Sequence, residues 1–244
     1  MSFRPKNLLI VTHHYPPHVT GVGFAAHSQA KRLVALGHSV TVITSETDGQ
    51  EKSAVVDGVN VVRVRALNFT EKWGVPFPIF SPGIVFLLFR HIKAADIVHV
   101  HDSFYISSFC AAVVAWMHRK PVALTQHVAM IAHPSSFVVA MEKLAYATTG
   151  ALIFRISGQI LTYNKRVQEF LLSRGVPERQ LSSLINGVDT ELFHPVPQEE
   201  KQRLRAMLKL APTKKIILFV GRFVPQKGFD KVLTASAPDY QIVC

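Results

Sequence analysis

The sequence is poor in cysteine and has no long hydrophobic run. Two cysteines occur among 244 residues, Cys110 within an apolar pattern and Cys244 at the last position. They are too few for a disulfide-stabilised scaffold, and we expect reduced thiols in the cytoplasm. The longest apolar stretches, Gly83–Phe89 and Phe109–Met117, are shorter than the roughly 18 to 20 residues of a membrane-spanning helix. The apolar run near the N-terminus is too short for a secretory signal, so we expect no transmembrane segment.

Acidic residues are scarce as well. The chain has 27 Lys and Arg residues against 16 Asp and Glu residues, which gives a formal net charge of +11. The basic excess is spread along the chain and forms no dense stripe with interleaved aromatic residues, so we expect no nucleic-acid partner. A phosphorylated ligand or an anionic membrane surface fits this charge better. Solubility alone is the alternative explanation.

A strand, a loop, a helix and a second strand open the chain. The apolar run Leu8–Val11 is followed by a loop over His13–Thr20, and Gly21 and Gly23 then precede a helical pattern that stops at Gly37. This order predicts a βαβ unit. The first turn of such a helix attracts anions, so the two glycines are candidate phosphate contacts. The alternative is that they only shape a turn.

Strands and helices continue to alternate up to about Pro195. This alternation predicts a doubly wound, Rossmann-like α/β domain with a parallel sheet and helices on both faces. The prolines at 195 and 197 indicate a linker. We therefore predict a first domain over residues 1–195 and the start of a second Rossmann-like domain over residues 196–244.

Histidines occur at the ends of two predicted strands. His99 and His101 share one face of a strand that continues into Asp102, and His127 follows the next strand. A metal site would need a third and a fourth convergent ligand, so we predict no metal here. Hydrogen bonding at the carboxyl ends of parallel strands is favoured instead, because doubly wound folds place their ligands there.

Two cations follow a later buried strand. The run Lys215–Val220 leads into Gly221 and Arg222, and Lys227 and Gly228 precede another helical pattern. A guanidinium and an ammonium beside a helix start are suited to clamp a diphosphate. The alternative is a pair of surface cations.

Four segments, at residues 15–23, 36–44, 186–189 and 220–228, together resemble the family-four retaining glycosyltransferases of the GT-B architecture. Each motif is weak by itself, but the four in this order and spacing are specific, and they extend over nearly the whole chain. The resemblance implies two Rossmann-like domains with a nucleotide-diphosphate sugar bound in the cleft. It further implies transfer to a lipid or glycan acceptor with retention, and no metal or other cofactor. Together with the reduced cysteines and the basic charge, we expect a cytoplasmic protein for which the anionic inner face of the membrane is one candidate partner.

The resemblance also implies roles for individual residues. These are contacts to the donor diphosphate from Gly21, Gly23, Arg222 and Lys227, a catalytic position beside the transferred sugar for His127, and acceptor-side positions for Tyr15, His101 and Asp102. The glutamate-bearing motif of the family's second domain does not occur in this sequence. We therefore expect a truncated chain that is inactive or weak as it stands.

Two other interpretations remain open. Residues 21–26 satisfy the dinucleotide fingerprint G-x-G-x-x-A, and Glu46 follows about twenty residues later. Eight residues separate Thr12 from Gly21, however, whereas that fingerprint places its first glycine directly at the end of the strand. The third interpretation is a non-catalytic module that binds an acceptor or a membrane.

Overall fold

The computed structural model describes residues 4–46, 49–68, 77–130, 135–221, 223, 227–235 and 237–244. The chain forms two compact units, unit 1 (Met1–Asn186) and unit 2 (Gly187–Cys244). The units divide before the predicted linker at Pro195, and the assignment of two domains at that proline stays a prediction.

Unit 1 contains a mostly parallel sheet, as the alternating pattern predicts. Its strands are β1 (Asn7–Val11), β2 (Ser39–Glu46), β3 (Ser53–Val56), β4 (Val59–Leu67), β5 (Ile79–Phe80), β6 (Ile97–His101), β7 (Val122–Gln126), β8 (Gln159–Thr162) and β9 (Leu181–Ser183). The order across the sheet is β3-β4-β2-β1-β6-β7-β8-β9, and β5 pairs with β4 outside this path. Among the described strands only β3 and β5 run antiparallel to their neighbour β4. The predicted α/β class is therefore confirmed.

Helices connect these strands. Those of unit 1 are α1 (Gly21–Ala35), α2 (Gly83–Ala94), α3 (Ile106–Met117), α4 (Ser136–Ala145), α5 (Ala151–Ile156) and α6 (Lys165–Ser173), with a π-helical turn over Tyr146–Gly150 and a 3₁₀ turn over Glu178–Gln180. The connections that join parallel strands bring all the carboxyl ends of those strands to one edge of the sheet.

Local sequence signals account for several element ends. Asp57 and Gly58 both have positive φ and form the two-residue turn between β3 and β4, as an Asp-Gly pair predicts. Gly37, with φ of 86°, ends α1, and its N–H donates to the carbonyl of Val34. Asn164 caps α6 by accepting a hydrogen bond from the N–H of Val167.

The sheet has a hydrophobic core on each side. In β1, Leu9 and Val11 belong to the larger core with α2, α3, α5 and α6, whereas Ile10 belongs to the smaller core with α1. Successive side chains of a strand point to opposite faces, so a strand covered on both sides must be apolar throughout. This explains why Leu8–Val11 of β1 form a continuous apolar run.

The stretch Ser136–Ile156 is long and apolar enough to cross a membrane by length and composition alone. These two properties are shared by core helices of soluble proteins. In this stretch Tyr146, Ile153 and Phe154 belong to the larger core of unit 1. The hydroxyls of Thr148 and Thr149 in the π-helical turn donate to carbonyls four residues earlier, at 2.7 and 3.1 Å.

Unit 2 has four regular elements, α7 (Gln198–Met207), β10 (Lys215–Leu218), α8 (Phe229–Thr234) and β11 (Tyr240–Val243). The two strands are parallel neighbours, with Ile217 opposite Ile242. None of the described residues of unit 2 is buried. Exposed apolar side chains such as Val220 and Phe223 therefore make no closed core here.

The packing of α2 predicts different effects for two substitutions on one helix. Leu88 is fully buried in the larger core, whereas Phe86 is 85% exposed. We expect Leu88→Ala to lower the free energy of unfolding by about 2–5 kcal/mol, because it leaves a cavity. Phe86→Ala should change it by less than about 0.5 kcal/mol. Urea unfolding followed by tryptophan fluorescence measures both, since Trp116 lies in α3 of unit 1. Equal effects would contradict the described packing.

Candidate active site

Polar side chains gather where three neighbouring strands end. β1 continues into Thr12 and His13, β6 ends at His101 and continues into Asp102, and β7 is followed by His127. The strand order places β1, β6 and β7 side by side. His127 is half-buried, and the other four residues are buried. Ligands of doubly wound sheets bind at this edge, so this cluster is the candidate active site.

The predicted site histidines His101 and His127 are hydrogen-bonded to each other. Nδ1 of His101 lies 2.9 Å from Nε2 of His127. The ring of His99 lies 4.6 Å from that of His101, as two residues on one strand face require. Nε2 of His99 is 2.7 Å from the hydroxyl of Thr125 on β7. The pairing of β6 with β7 thus brings together side chains that are far apart in the sequence.

Burial keeps the imidazoles of the site neutral. It lowers the pKa of His99 to about 4 and that of His127 to about 4, and it places the pKa values of His13 and His101 well below the usual 6.5. The cause is desolvation, because a charged ring loses its hydration in the protein interior. A neutral imidazole has one N–H donor and one acceptor nitrogen. The site therefore offers directional hydrogen bonds and no histidine charge at neutral pH.

Asp102 anchors the turn that carries His127. It has a φ of 57°, and its N–H donates to the carbonyl of Thr125 at 2.9 Å. Its Oδ1 accepts the N–H of His127 at 2.8 Å. Burial raises the pKa of Asp102 to about 7, and hydrogen bonds from the backbone N–H groups of His127 and Val128 oppose this rise. Asp102 thus holds the end of β6 and the turn after β7 in fixed relative positions.

The two glycines of the first loop have different surroundings. A Cβ on Gly23 would lie 2.9 Å from Oγ1 of Thr20 and 3.2 Å from the carbonyl oxygen of His14, so only glycine fits there. The Gly23 N–H is already bonded to Thr20, the N-cap of α1. A Cβ on Gly21 would meet nothing within 4 Å. Open space for a ligand to approach the backbone therefore exists at Gly21. At Gly23 the close packing of Thr20 and His14 explains why the residue is a glycine.

Tyr15, the third residue proposed for the acceptor side, is buried in the smaller core. Its hydroxyl lies 2.9 Å from Nδ1 of His27, and Nε2 of His27 lies 3.0 Å from Asp57. Burial raises the pKa of Tyr15 above its usual 10. The structure thus gives Tyr15 a role in packing the loop onto α1 that the sequence motif did not reveal.

Three neighbours of the cluster were missed by sequence reasoning. Tyr163 follows β8, and its ring centroid lies 5.0 Å from that of His127. Tyr105 stacks on His13 at 3.6 Å. Gln126 accepts the N–H of Ser103 at 3.1 Å. The signal that could have found Tyr163 is its position, because every polar or aromatic residue just after a parallel strand is a candidate for this edge of the sheet.

The predicted diphosphate clamp lies in unit 2. Arg222 lies outside the described residues. Lys227 is described, and its Cγ and Cδ are 3.9 Å from the position that a Cβ on Gly221 would take. Gly228, with φ of 68°, precedes α8. Lys227 thus lies beside the segment that follows β10, and its contact with a diphosphate stays a prediction.

Metal coordination is not a feature of the described cluster. Across the residues that the structure describes, no group of three or more His, Cys, Asp or Glu side chains could hold a metal ion. The expectation of a site without metal or cofactor stays a prediction.

The chain is similar in sequence to a known protein family and to several known proteins. The model of Glycosyltransferase Family 4 matches residues 19–192. The uncharacterized glycosyltransferase MJ1607 of Methanocaldococcus jannaschii is 29% identical over 240 residues, which cover 93% of this chain and 58% of that protein. A GDP-mannose-dependent alpha-mannosyltransferase of Mycobacterium tuberculosis is 25% identical over 232 residues, covering 93% of this chain and 59% of that protein.

A solved structure supports the fold. Anabaena Alr3699/HepE, determined in complex with UDP-glucose, superposes with a TM-score of 0.69 at 15% identity, covering 97% of this chain and 59% of that chain. At this identity the likeness shows the fold alone, and the fold is that of GT-B glycosyltransferases. The chain spans slightly less than three fifths of the length of the two curated relatives.

The neutral histidines predict a loss of stability in mild acid. His13, His99, His101 and His127 have lowered pKa values when folded, so between about pH 6.5 and pH 4 the unfolded chain binds protons that the folded chain does not. Asp102 opposes this, since its folded pKa of about 7 exceeds its ordinary 3.8. Four histidines outweigh one carboxyl. We expect the free energy of unfolding to fall as the pH drops from 6.5 towards 4.

Urea midpoints measured across this pH range give the slope of stability against pH. His99→Gln keeps an amide near Thr125 and removes one titrating ring. The slope reports how many more protons the unfolded chain binds than the folded chain, and this number should fall by about one. A stability that stays constant or rises as the pH falls through this range would contradict the expectation that the four histidines outweigh Asp102.

Proposed function

The chain belongs to Glycosyltransferase Family 4, and we propose that it acts in the transfer of a sugar from a nucleotide-diphosphate sugar to a lipid or glycan acceptor, with retention of the anomeric configuration. The observation that carries the proposal is the family match over residues 19–192, which runs from the loop before α1 past β9. This stretch includes the strand ends that bear His101, Asp102 and His127. The names of the mannosyltransferase relative and of the UDP-glucose complex support a nucleotide-sugar donor.

The departing nucleoside diphosphate builds negative charge, which the site must stabilise as it appears. The N-terminus of α1 is one source of stabilisation, because its first turn has no acidic residue and Gly21 leaves the backbone accessible. Arg222 and Lys227 are the others. We propose that these groups bind the diphosphate without a metal ion or other cofactor.

His127 is proposed to lie beside the transferred sugar. It is half-buried among buried neighbours, so part of the residue remains accessible. Its position is set from two directions, by the ring of His101 and by the carboxyl of Asp102. Preorganised hydrogen-bonding groups of this kind favour one orientation of a bound sugar. In this proposal His101 and Asp102 act through His127 on the acceptor side.

Activity of the 244-residue chain is a separate question. The expectation that it is inactive or weak stays a prediction, and it is supported by the lack of buried residues in the described part of unit 2. Donor contacts held by such a unit are loosely positioned, and a misplacement of about 1 Å can cost roughly a hundredfold in rate. Assay of the purified chain with a panel of UDP- and GDP-sugars tests this expectation, and robust transfer would contradict it.

The diphosphate clamp is tested by binding. We expect Arg222→Ala and Lys227→Ala each to weaken binding of UDP or GDP by roughly tenfold or more, because each removes a charge-assisted hydrogen bond worth about 1.5–3 kcal/mol. Lys214→Ala is the matched control, since Lys214 precedes β10 and lies at the other end of that strand. Isothermal titration calorimetry measures all three. Unchanged affinity in both clamp variants would remove the clamp from the proposal.

The place of His127 is tested by comparing two ligands. His127→Ala should weaken binding of the nucleotide sugar by about two- to tenfold, the value of one hydrogen bond, and leave binding of the nucleotide alone unchanged. In a preparation that transfers sugar, the rate should fall much more than the melting temperature. A large loss of melting temperature with equal effects on both ligands would make His127 a packing residue.

Association with an anionic membrane surface is the second part of the proposal. Phe137, Met141 and Leu144 are exposed on α4 at spacings of four and three residues, which places them on one helix face. The net charge of +11 suits anionic lipid. We propose that this stripe contacts the inner face of the cytoplasmic membrane, where a lipid acceptor would be available.

Vesicle sedimentation tests the membrane contact. We expect the chain to sediment with vesicles of anionic phospholipid and to be released as the salt concentration rises, because salt screens exposed charges. The double variant Phe137→Ser with Met141→Ser should bind much less, and the control Phe86→Ser on α2 should bind as before. Sedimentation that the double variant does not reduce would exclude this stripe as the contact.

A further inference from the structure

A hydrogen bond between two imidazole rings joins the ends of β6 and β7. Nδ1 of His101 lies 2.9 Å from Nε2 of His127. Both rings are neutral at physiological pH, because desolvation lowers the pKa of each. A neutral imidazole carries one N–H and one lone pair, so only one of the two rings donates in this bond. The direction of the bond fixes the tautomer of both residues.

Two arrangements of the protons satisfy this contact. In the first, Nδ1–H of His101 donates to Nε2 of His127. The proton of His127 then lies on Nδ1, and Nε2 of His101 has a lone pair. In the second, Nε2–H of His127 donates to Nδ1 of His101. His127 then has a lone pair on Nδ1, and Nε2 of His101 carries an N–H.

The surroundings of His101 Nε2 distinguish the two arrangements. This atom is buried and has no hydrogen-bond partner among the residues that the structure describes. The groups that act electrostatically on His101 are the rings of His99, His127 and His13. A buried N–H without an acceptor is rarer in folded proteins than an acceptor without a donor. The first arrangement leaves a lone pair at this atom, and the second would leave an N–H, so the first is favoured.

We propose that His101 is a positioning residue that holds His127 in the Nδ1–H tautomer, so that His127 presents a hydrogen-bond donor to the ligand of this site. The statement about the ligand rests on the proposed function, and the statement about the tautomer does not. With Nδ1 protonated and Nε2 bonded to His101, His127 has no lone pair left to act as a general base. It can donate to an oxygen of the bound sugar or of the acceptor.

Nuclear magnetic resonance of the 244-residue chain tests the tautomer directly. Two-bond ¹H–¹⁵N correlation spectra of ¹⁵N-histidine-labelled protein distinguish the Nδ1–H tautomer, the Nε2–H tautomer and the imidazolium. The signals of His127 are those lost in His127→Asn, and those of His101 are lost in His101→Asn. We expect Nδ1–H for both residues in the wild-type chain near pH 7. An Nε2–H or an imidazolium form of His127 would overturn the proposal.

Substitutions at His101 test the positioning role. His101→Asn keeps an amide N–H donor near the position of Nδ1, so His127 should keep its Nδ1–H form. His101→Leu removes the donor, so His127 should shift to a mixture with substantial Nε2–H. Folded His101→Leu with an unchanged His127 tautomer would contradict a positioning role for His101. If His101→Leu does not fold, the wild-type and His101→Asn spectra decide the question, and loss of the Nδ1–H form in His101→Asn counts against the proposal.

Ser108→Ala is the matched control. The Ser108 hydroxyl donates to the carbonyl oxygen of His101 at 2.9 Å, so its removal disturbs the same strand end without touching either ring. We expect lower stability and an unchanged His127 tautomer. None of these spectra needs a donor or an acceptor. A failure of sugar transfer is thereby distinguishable from a failure of the tautomer assignment.

Discussion

The parallel pairing of β1 with β2 on one side and β6 on the other is the constraint on which unit 1 depends. A central parallel strand is covered by helices on both faces, so its side chains are apolar on both faces, as Leu9, Ile10 and Val11 are. Most polar residues of the candidate site lie where such strands end. Because parallel strands end at the same edge, the polar residues of β1, β6 and β7 become neighbours. The candidate site is thus a consequence of the sheet topology.

Local features of the fold could be predicted from the sequence. The Asp57-Gly58 turn, the end of α1 at Gly37 and the cap at Asn164 each depend on a few adjacent residues, whose conformational preferences are strong. The class of fold followed from the alternation of apolar runs. The family resemblance followed from four motifs in order, and the family match over residues 19–192 agrees with it.

Contacts within the candidate site could be predicted only in part. The sequence places His101, Asp102 and His127 at strand ends, but their mutual bonds depend on the register between β6 and β7, which no local pattern fixes. The same holds for Gly23, whose closest neighbour beyond the helix cap is the carbonyl of His14. The motif suggests a phosphate contact for this glycine. The packing shows that glycine is needed there even without a ligand.

A π-helical turn separates α4 from α5 within the apolar stretch Ser136–Ile156. A regular α-helix advances about 100° per residue, and a π turn holds one extra residue within a single turn, so the side chains that follow keep the directions they would have without that residue. Before the turn α4 exposes Phe137 and Met141, and after it α5 buries Ile153 and Phe154. Loss of a single residue within Tyr146–Gly150 would therefore give a regular α-helix and leave the core-facing side of α5 in place. Loss of a residue from the regular helix on either side would instead turn that side by about 100°, so the π turn is the part of this stretch whose length can change most easily.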